Sequence, residues 1–401
     1  MKRLFAAFFC SLAVMALSGA EGTKTFASGH YSFTCPADMA GVEDLAAALN
    51  REWDAFNAVF RFDPSSEGHV NKVVIPRDKA EFDAYLVDRI GEARGQPVFL
   101  RYSKPELSEL VLLPGTNAKD PAYPGPALNR QLFLQYLYGY VSEPPAWIRD
   151  GFQAYFENLA YDATKGTITA SAYSPWLETA KRLSGDSASA IGSEGILSAI
   201  TGSYESTRFY PQAWAFVSFL LNTESPEYQR FFHETCLLVA GNGGYNAGSQ
   251  QDNTDLIRTR FFKFQDSLST DEAYKTWLSG QHTYAELFQL GVTAYNQGNY
   301  VEARKSLNDA AVVKSDDPVL LYYMGLVSYA EKKYLESETY YRKALELGGD
   351  NATIHWALGL EAYADKRYQE AKVYLETAKS ANSVKYAEKA DKLIGSMPKA
   401  K

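Results

Sequence analysis

Cysteine and histidine are scarce in this chain, with three of the former and five of the latter in 401 residues. Cys10 falls inside an apolar opening segment, so only Cys35 and Cys236 are left to pair. Two cysteines over such a length make no disulfide framework, and the sequence leaves open whether they are bridged. Cations are also in deficit, 40 Lys+Arg against 48 Asp+Glu for a net charge of −8. No basic stripe stands ready to neutralise phosphates, which argues against a nucleic-acid partner. No apolar run reaches the ~20 residues that a membrane-spanning helix needs. A glycine-rich phosphate loop at a strand-to-helix junction, a G-x-S-x-G elbow and a partnered Ser-His or Cys-His arrangement are likewise missing, so no cofactor is expected.

What is present starts at the N-terminus. Met1-Lys2-Arg3 precedes an apolar run over residues 4–17 and then Ser18-Gly19-Ala20. Basic, apolar and small residues in that order are the pattern of a secretory signal peptide, with cleavage expected after Ala20. The protein is therefore expected to be exported, periplasmic or extracellular, and not membrane-spanning.

A repeat dominates the last third. Gly291, Gly325 and Gly359 are spaced by 34 residues, and their neighbours hold the same register: Tyr295, Tyr329 and Tyr363, then Tyr300, Tyr334 and Tyr368, then Ala310, Ala344 and Ala378. Ala303, Ser337 and Ala371 supply a small residue between them. The pattern resembles the tetratricopeptide repeat, a stack of antiparallel helix pairs with this period. Three repeats are expected over residues 284–317, 318–351 and 352–385, followed by a charged capping helix from Tyr386 to about Ser396. Residues 284–401 carry 16 cations and 16 anions, so the acidic excess belongs to the part before them.

That earlier part, residues 21–283, reads as an α+β domain with its strands early and its helices late. Leu45, Leu49, Trp53, Phe56 and Phe60 lie at helical spacing. Asp78 is placed to cap a second helix carrying Phe82, Tyr85, Leu86 and Ile90. Short β-prone runs occupy residues 30–34, 72–75, 98–102 and 110–113. Helices are expected over 127–141, 146–159 and about 212–221, with a loop over 241–253 and helices again over 255–279.

One stretch of this domain points to chemistry. Pro145-Ala-Trp147-Ile-Arg-Asp150-Gly151-Phe-Gln-Ala-Tyr155 resembles the P-x-W-x-x-E-G-x-x-x-Y segment of peptidase-MA-like, gluzincin-type zinc metallopeptidases. Tyr210-Pro-Gln212-Ala-Trp214 is similar to the helix that follows in that family. The resemblance implies that position 150 holds the third zinc ligand. It also implies that the preceding helix holds H-E-x-x-H, two imidazoles and a general base. Here that helix offers Arg130, Gln131, Leu134 and Gln135, and no His occurs between His69 and His233. Both imidazoles and the base are lost, Asp150 is a shorter carboxylate, and Arg130 is expected to bring a cation to the metal position. A degenerate, metal-free peptidase-like domain follows, its vestigial cleft marked by Arg130, Gln131, Leu134, Asp150 and Gln212. His233-Glu234-Thr-Cys236-Leu237 imitates the zinc motif but ends in Leu, and reads as a polar pair facing outward. His355 reads as structural.

The resemblance to tetratricopeptide repeats implies a groove lined by the first helix of each pair. Carried over by position, it consists of Phe288, Val292 and Tyr295, then Tyr322, Tyr323, Leu326 and Tyr329, then Trp356, Leu360 and Tyr363. Lys, Arg and Asn would clamp a peptide's carboxylates on this face, yet those places hold Phe288, Val292, Tyr323, Thr353 and Ala357. An apolar or extended protein segment fits such a surface better, since aromatics give large contact area at small entropic cost. The groove is alternatively filled by the protein itself. The function expected from the whole is a non-catalytic exported scaffold that binds a protein or peptide. Two alternatives stay open: a zinc metallopeptidase or other hydrolase using residues such as Asp150 and Glu157, and a cell-wall or glycan-binding module.

Overall fold

Residues Thr23–Ser28 (β1) and Tyr31–Pro36 (β2) pair antiparallel around Gly29. Gly29 has φ 57°, and a Cβ there would run into the Asn50 side chain. Along β2, Tyr31, Phe33 and Cys35 are buried and alternate with the less buried Ser32 and Thr34, the period of a strand with one face on a core. The expected apolar stripe of α1 (Val42–Phe60) is buried from Leu45 to Phe60. There follow β3 (Asn71–Val74), α2 (Lys79–Ile90, capped by the Asp78 side chain), β4 (Val98–Leu100) and β5 (Glu109–Val111). The computed structural model describes residues 22–113, 125–162, 167–170, 176–240 and 245–398. The expected signal peptide lies outside the described residues.

The five strands form one mixed sheet in the order β1-β2-β3-β5-β4, parallel within β2-β3-β5 and antiparallel at both edges. Helix α2 covers one face, with Phe82 and Leu86 against Leu100 and Val111. The other face packs through Phe33, Val73 and Leu110 into the main core, which includes α1 and α3 (Pro126–Tyr140). Phe56, Phe60, Phe133, Phe152, Phe156 and Phe232 interlock there, with ring centroids 4.7 to 5.9 Å apart in the closest pairs.

The helix expected over 146–159 is broken. Trp147–Gly151 is a π-type turn, and only Phe152–Phe156 (α4) continues as α-helix. A hairpin of β6 (Leu159–Asp162) and β7 (Thr167–Ala170) comes next, so the strands are not confined to the early part. Helices α5 (Trp176–Gly185), α6 (Ser193–Leu197), α7 (Ser206–Asn222), α8 (Pro226–Val239), α9 (Gln250–Phe262) and α10 (Ser267–Ser279) complete the unit. Cys35 and Cys236 are both buried free thiols.

The chain divides into two compact units, Met1–Gln281 and His282–Lys401. The second is built from hairpins α11–α12 (Tyr284–Asn296, Tyr300–Val313), α13–α14 (Pro318–Ala330, Tyr334–Glu346) and α15–α16 (Asn351–Ala364, Tyr368–Ala381). Helix α17 (Ser383–Gly395) closes the stack and starts three residues before the expected cap. The repeated glycines mark where paired helices touch. A Cβ at Gly291, Gly325 or Gly359 would lie 2.6, 2.4 or 2.7 Å from Leu307, Tyr341 or Leu375.

Candidate functional site

The motif stretch and the helix that follows it meet by close backbone approach. Gly151 lies against α7, and a Cβ there would be 2.8 Å from the Ala213 carbonyl oxygen and from Val217. Trp147 packs edge-on to Phe216 at 6.3 Å. The π-type turn carries Asp150 inward until it is 3% exposed. Its carboxylate accepts two hydrogen bonds from the neighbouring Arg149, Nε at 2.6 Å and Nη2 at 2.9 Å, and a third, short one from the Tyr204 hydroxyl. Arg149 also donates to Thr201 and Tyr204, each at 2.8 Å. Burial, and then the Asp150 carboxylate beside it, push the Tyr204 phenol up. The Asp150 charge is thereby spent on a structural network.

The cation on Asp150 is thus Arg149. The Arg130 guanidinium stands 3.7 Å from Glu157, a carboxylate that also accepts from Trp176 Nε1 at 2.9 Å. Burial raises the Glu157 pKa, opposed by Arg130. Gln131 Oε1 accepts the Phe99 backbone N–H of edge strand β4 at 2.9 Å. Leu134 is half-buried against the core. Gln212 is fully buried and bonds the Ile191 N–H and the Ser189 and Arg208 carbonyls. The five positions expected to mark one cleft therefore have separate partners, and Gln212 is a core polar residue. Among the described residues no group of three or more His, Cys, Asp or Glu is placed to hold a metal ion. The Arg149–Asp150 adjacency was readable in the sequence; the arrival of Tyr204 from the segment before α7 was not.

Of the pair expected to face outward, His233 has its Nδ1 buried while Glu234 stays accessible. Both are half-buried on α8, and Glu234 pairs with Arg230 at 2.6 Å and Arg260 at 2.9 Å. Burial and the nearby Arg61 lower the His233 pKa. His355 Nδ1 is 2.8 Å from the Asn351 carbonyl one turn earlier.

In the second unit the ten expected groove positions share one environment, each being half-buried. Within a helix they recur at i, i+4 and i+7, a single face. Rings link successive repeats across that face: Phe288 to Tyr323 at 5.5 Å and Tyr295 to Tyr323 at 6.1 Å, both edge-on. The third repeat is engaged differently. Trp356 stacks on Tyr386 of α17 at 5.2 Å, and the Tyr363 hydroxyl lies 3.4 Å from the Ser396 hydroxyl. The chain's own last helix thus covers part of what the third repeat offers, while the first two repeats supply the longer open stretch. Tyr295, Tyr329 and Tyr363 each lean on a second tyrosine across the turn, Tyr300, Tyr334 and Tyr368, at 6.0, 6.0 and 5.6 Å. Burial raises the phenol pKa at Tyr295 and Tyr329, and pushes that of Tyr322 up to about 12, so all three are neutral donors at ordinary pH.

No protein-family model matches the sequence, and no curated protein matches it either. Solved structures that resemble part of the chain include tetratricopeptide domains. The Arabidopsis OM64 TPR domain is 17% identical, over 28% of this chain and 93% of that one, with a TM-score of 0.27. The second TPR domain of human RPAP3, in complex with an HSP70 peptide, is 16% identical, over 29% of this chain and the whole of that one, at 0.27. A T3SS complex from Aeromonas hydrophila is 16% identical, over 29% of this chain and 81% of that one, at 0.26.

Proposed function

We propose that this protein is a non-catalytic scaffold whose repeat unit binds an extended, weakly charged segment of another protein. The observation that carries the reading is the row of half-buried side chains on the first helices of the hairpins. Phe288, Tyr295, Tyr322, Tyr323 and Tyr329 have enough of their area fixed by neighbouring rings to be rigid, and enough left over to make contacts. Rigid aromatics with a polar tip are what protein-binding surfaces favour, since little rotamer freedom remains to be lost. The face lacks the cations needed to clamp a terminal carboxylate, so an uncharged extended stretch suits it. A photo-crosslinking residue placed at Leu326 in the full chain tests this. It should yield a protein adduct of defined mass in cells, while the same residue at the exposed Val373 should not. Adducts from both positions, or from neither, would remove the reading.

The first unit belongs to the same proposal as a peptidase-like domain that has lost its metal, acting outside the cytoplasm. What supports it is chemical: the two positions that the sequence resemblance assigns to imidazoles hold Arg130 and Leu134, and Asp150 is committed to Arg149 and Tyr204. Protein purified without chelators should contain no stoichiometric zinc and cleave no peptide. About one zinc per chain, with proteolysis that a chelator stops, would restore the hydrolase alternative.

A further inference from the structure

The groove of the second unit has three properties that discriminate among extended chains. The first is what it offers to polar groups. Its ten positions include no charged side chain. Among the described residues the hydroxyls of Tyr295, Tyr322 and Tyr329 have no hydrogen-bond partner, and burial keeps all three phenols neutral at ordinary pH. A helical surface presents no row of free backbone carbonyls, because those of a helix are bonded within it. A chain laid there in β conformation would bury amide N–H groups with few acceptors, which is costly. Proline has no N–H and keeps its carbonyl. A proline-rich chain therefore orphans no donor, and its carbonyls can accept from the tyrosine hydroxyls.

The second property is shape. Tyr323 stands edge-on to Phe288, Tyr295 and Tyr322, with centroids 5.5, 6.1 and 5.7 Å away. Rings at right angles leave notches walled by one face and one edge. A pyrrolidine ring is rigid and compact, and it loses almost no side-chain freedom on filling such a notch.

The third property is period. Equivalent residues recur on successive first helices: Phe288, Tyr322 and Trp356, then Val292, Leu326 and Leu360, then Tyr295, Tyr329 and Tyr363. Neighbouring first helices touch, and helices in contact lie ~8–10 Å apart axis to axis. A polyproline II helix rises about 3.1 Å per residue with three residues per turn, a repeat of ~9 Å. A chain crossing the first helices in that conformation brings every third residue over an equivalent side chain.

We propose, resting on the scaffold role given to this unit above, that its groove binds a proline-rich segment in the polyproline II conformation. The segment's carbonyls accept from Tyr295, Tyr322 and Tyr329, and its rings seat around Tyr323. Such a chain is ordered before it binds, so little of the contact energy goes into ordering it.

Fluorescence anisotropy on the full chain with a labelled L-oligoproline tests this, with the D-oligoproline of equal length and label as its mirror image. The two have the same composition and apolar area but opposite hand. The L form should bind at one site per chain, at least tenfold tighter than the D form. Tyr322→Phe and Tyr329→Phe keep the rings and should each weaken it roughly two- to tenfold, as loss of one hydrogen bond does. Tyr340→Phe, on the second helix α14, should leave binding unchanged. No binding of L-oligoproline, equal binding of the two forms, or Phe variants at 322 and 329 that bind like the parent would each overturn the proposal. A defined adduct at Leu326 without oligoproline binding removes the proline-rich partner alone. Absence of both removes the scaffold reading with it.

Discussion

Glu52 is the residue most exposed to the consequences of its own burial. It lies on the core side of α1, is 2% accessible, and its Oε2 has no hydrogen-bond partner. Burial pushes its pKa up to about 7, with Arg51 opposing weakly. The folded state therefore keeps a proton that the unfolded chain releases near pH 4.5. Stability from this group is complete below that pH and is lost as pH rises toward 7, a difference of about 3 kcal/mol. Urea unfolding of the parent and of Glu52→Gln, at pH 5 and pH 8, should show the parent losing stability relative to the variant. Parallel behaviour at both values would mean that the carboxyl finds a partner when ionised. Gly151 makes a simpler case. Its Cβ would meet the Ala213 carbonyl, a backbone atom that cannot swing aside. Gly151→Ala should therefore cost about 1–3 kcal/mol, as overpacking does, measured by the same titration.

Among the elements, the joints between hairpins show how one solution is written twice. Arg304 on α12 reaches Glu331 at 2.7 Å and Glu336 at 2.9 Å in the second hairpin. One repeat later the signs are exchanged. Glu338 takes the place of Arg304, and it meets Arg367 of the third hairpin at 2.9 Å. Arg367 also binds the fully buried Glu361 through both carboxylate oxygens, at 2.7 and 2.9 Å. Removing the cation leaves Glu361 buried and unpaired, so Arg367→Met should cost about 3–5 kcal/mol, the usual penalty for breaking a buried pair. Arg367→Met combined with Glu361→Val, the residue type at the matching Val327, should recover most of it. If the double variant melts no higher than the single one, the pair does more than neutralise itself. The turns between paired helices repeat too. Gly298, Lys332 and Lys366 stand at one position with φ 75°, 62° and 64°. A left-handed lysine carries a penalty of roughly 1–2 kcal/mol, so Lys332→Gly should raise the melting temperature by a few degrees.

The same elements show what a sequence can reveal. The hairpins were legible because their period repeats three times and each glycine sits where helices must touch. The stripe of α1 was legible because large apolar residues recur at helical spacing. Strand β1 was not: Thr23-Lys-Thr-Phe-Ala-Ser has a single large apolar residue and an exposed-to-intermediate pattern throughout. The break at Trp147–Gly151 was hidden because Ile148, Phe152 and Tyr155 keep helical spacing straight through it, while the close approach of Gly151 to α7 is a long-range contact. Of the first unit's expected cleft, the neighbouring partner of Asp150 could be read along the chain. Tyr204 depends on long-range packing that no local pattern encodes.

For the molecule as a whole, the two units keep separate cores. In the first, sheet and helices converge on one aromatic cluster. In the second, Leu307, Leu320, Met324, Tyr341, Ile354 and Leu358 form a core passed from hairpin to hairpin, and Trp356 and Tyr386 end it under α17. A stack of this kind is held by contacts between neighbours along the sequence, and three repeats with a cap are enough to bury a continuous core. Its contacts are local, which favours rapid, independent folding. Each first helix is also fixed by its own side-chain cap, with a reciprocal Thr283–Glu286 box opening the unit and Asp317 and Asp350 following. A fragment of residues 282–401 should therefore show a helical circular-dichroism spectrum and melt cooperatively. Its transition should coincide with one of two seen in the full chain. Removing residues 383–401 from the fragment exposes Trp356 and strips the cap, and should lower and broaden that transition. A disordered spectrum for residues 282–401, or a melt indifferent to loss of α17, would show that the repeats do not close on themselves.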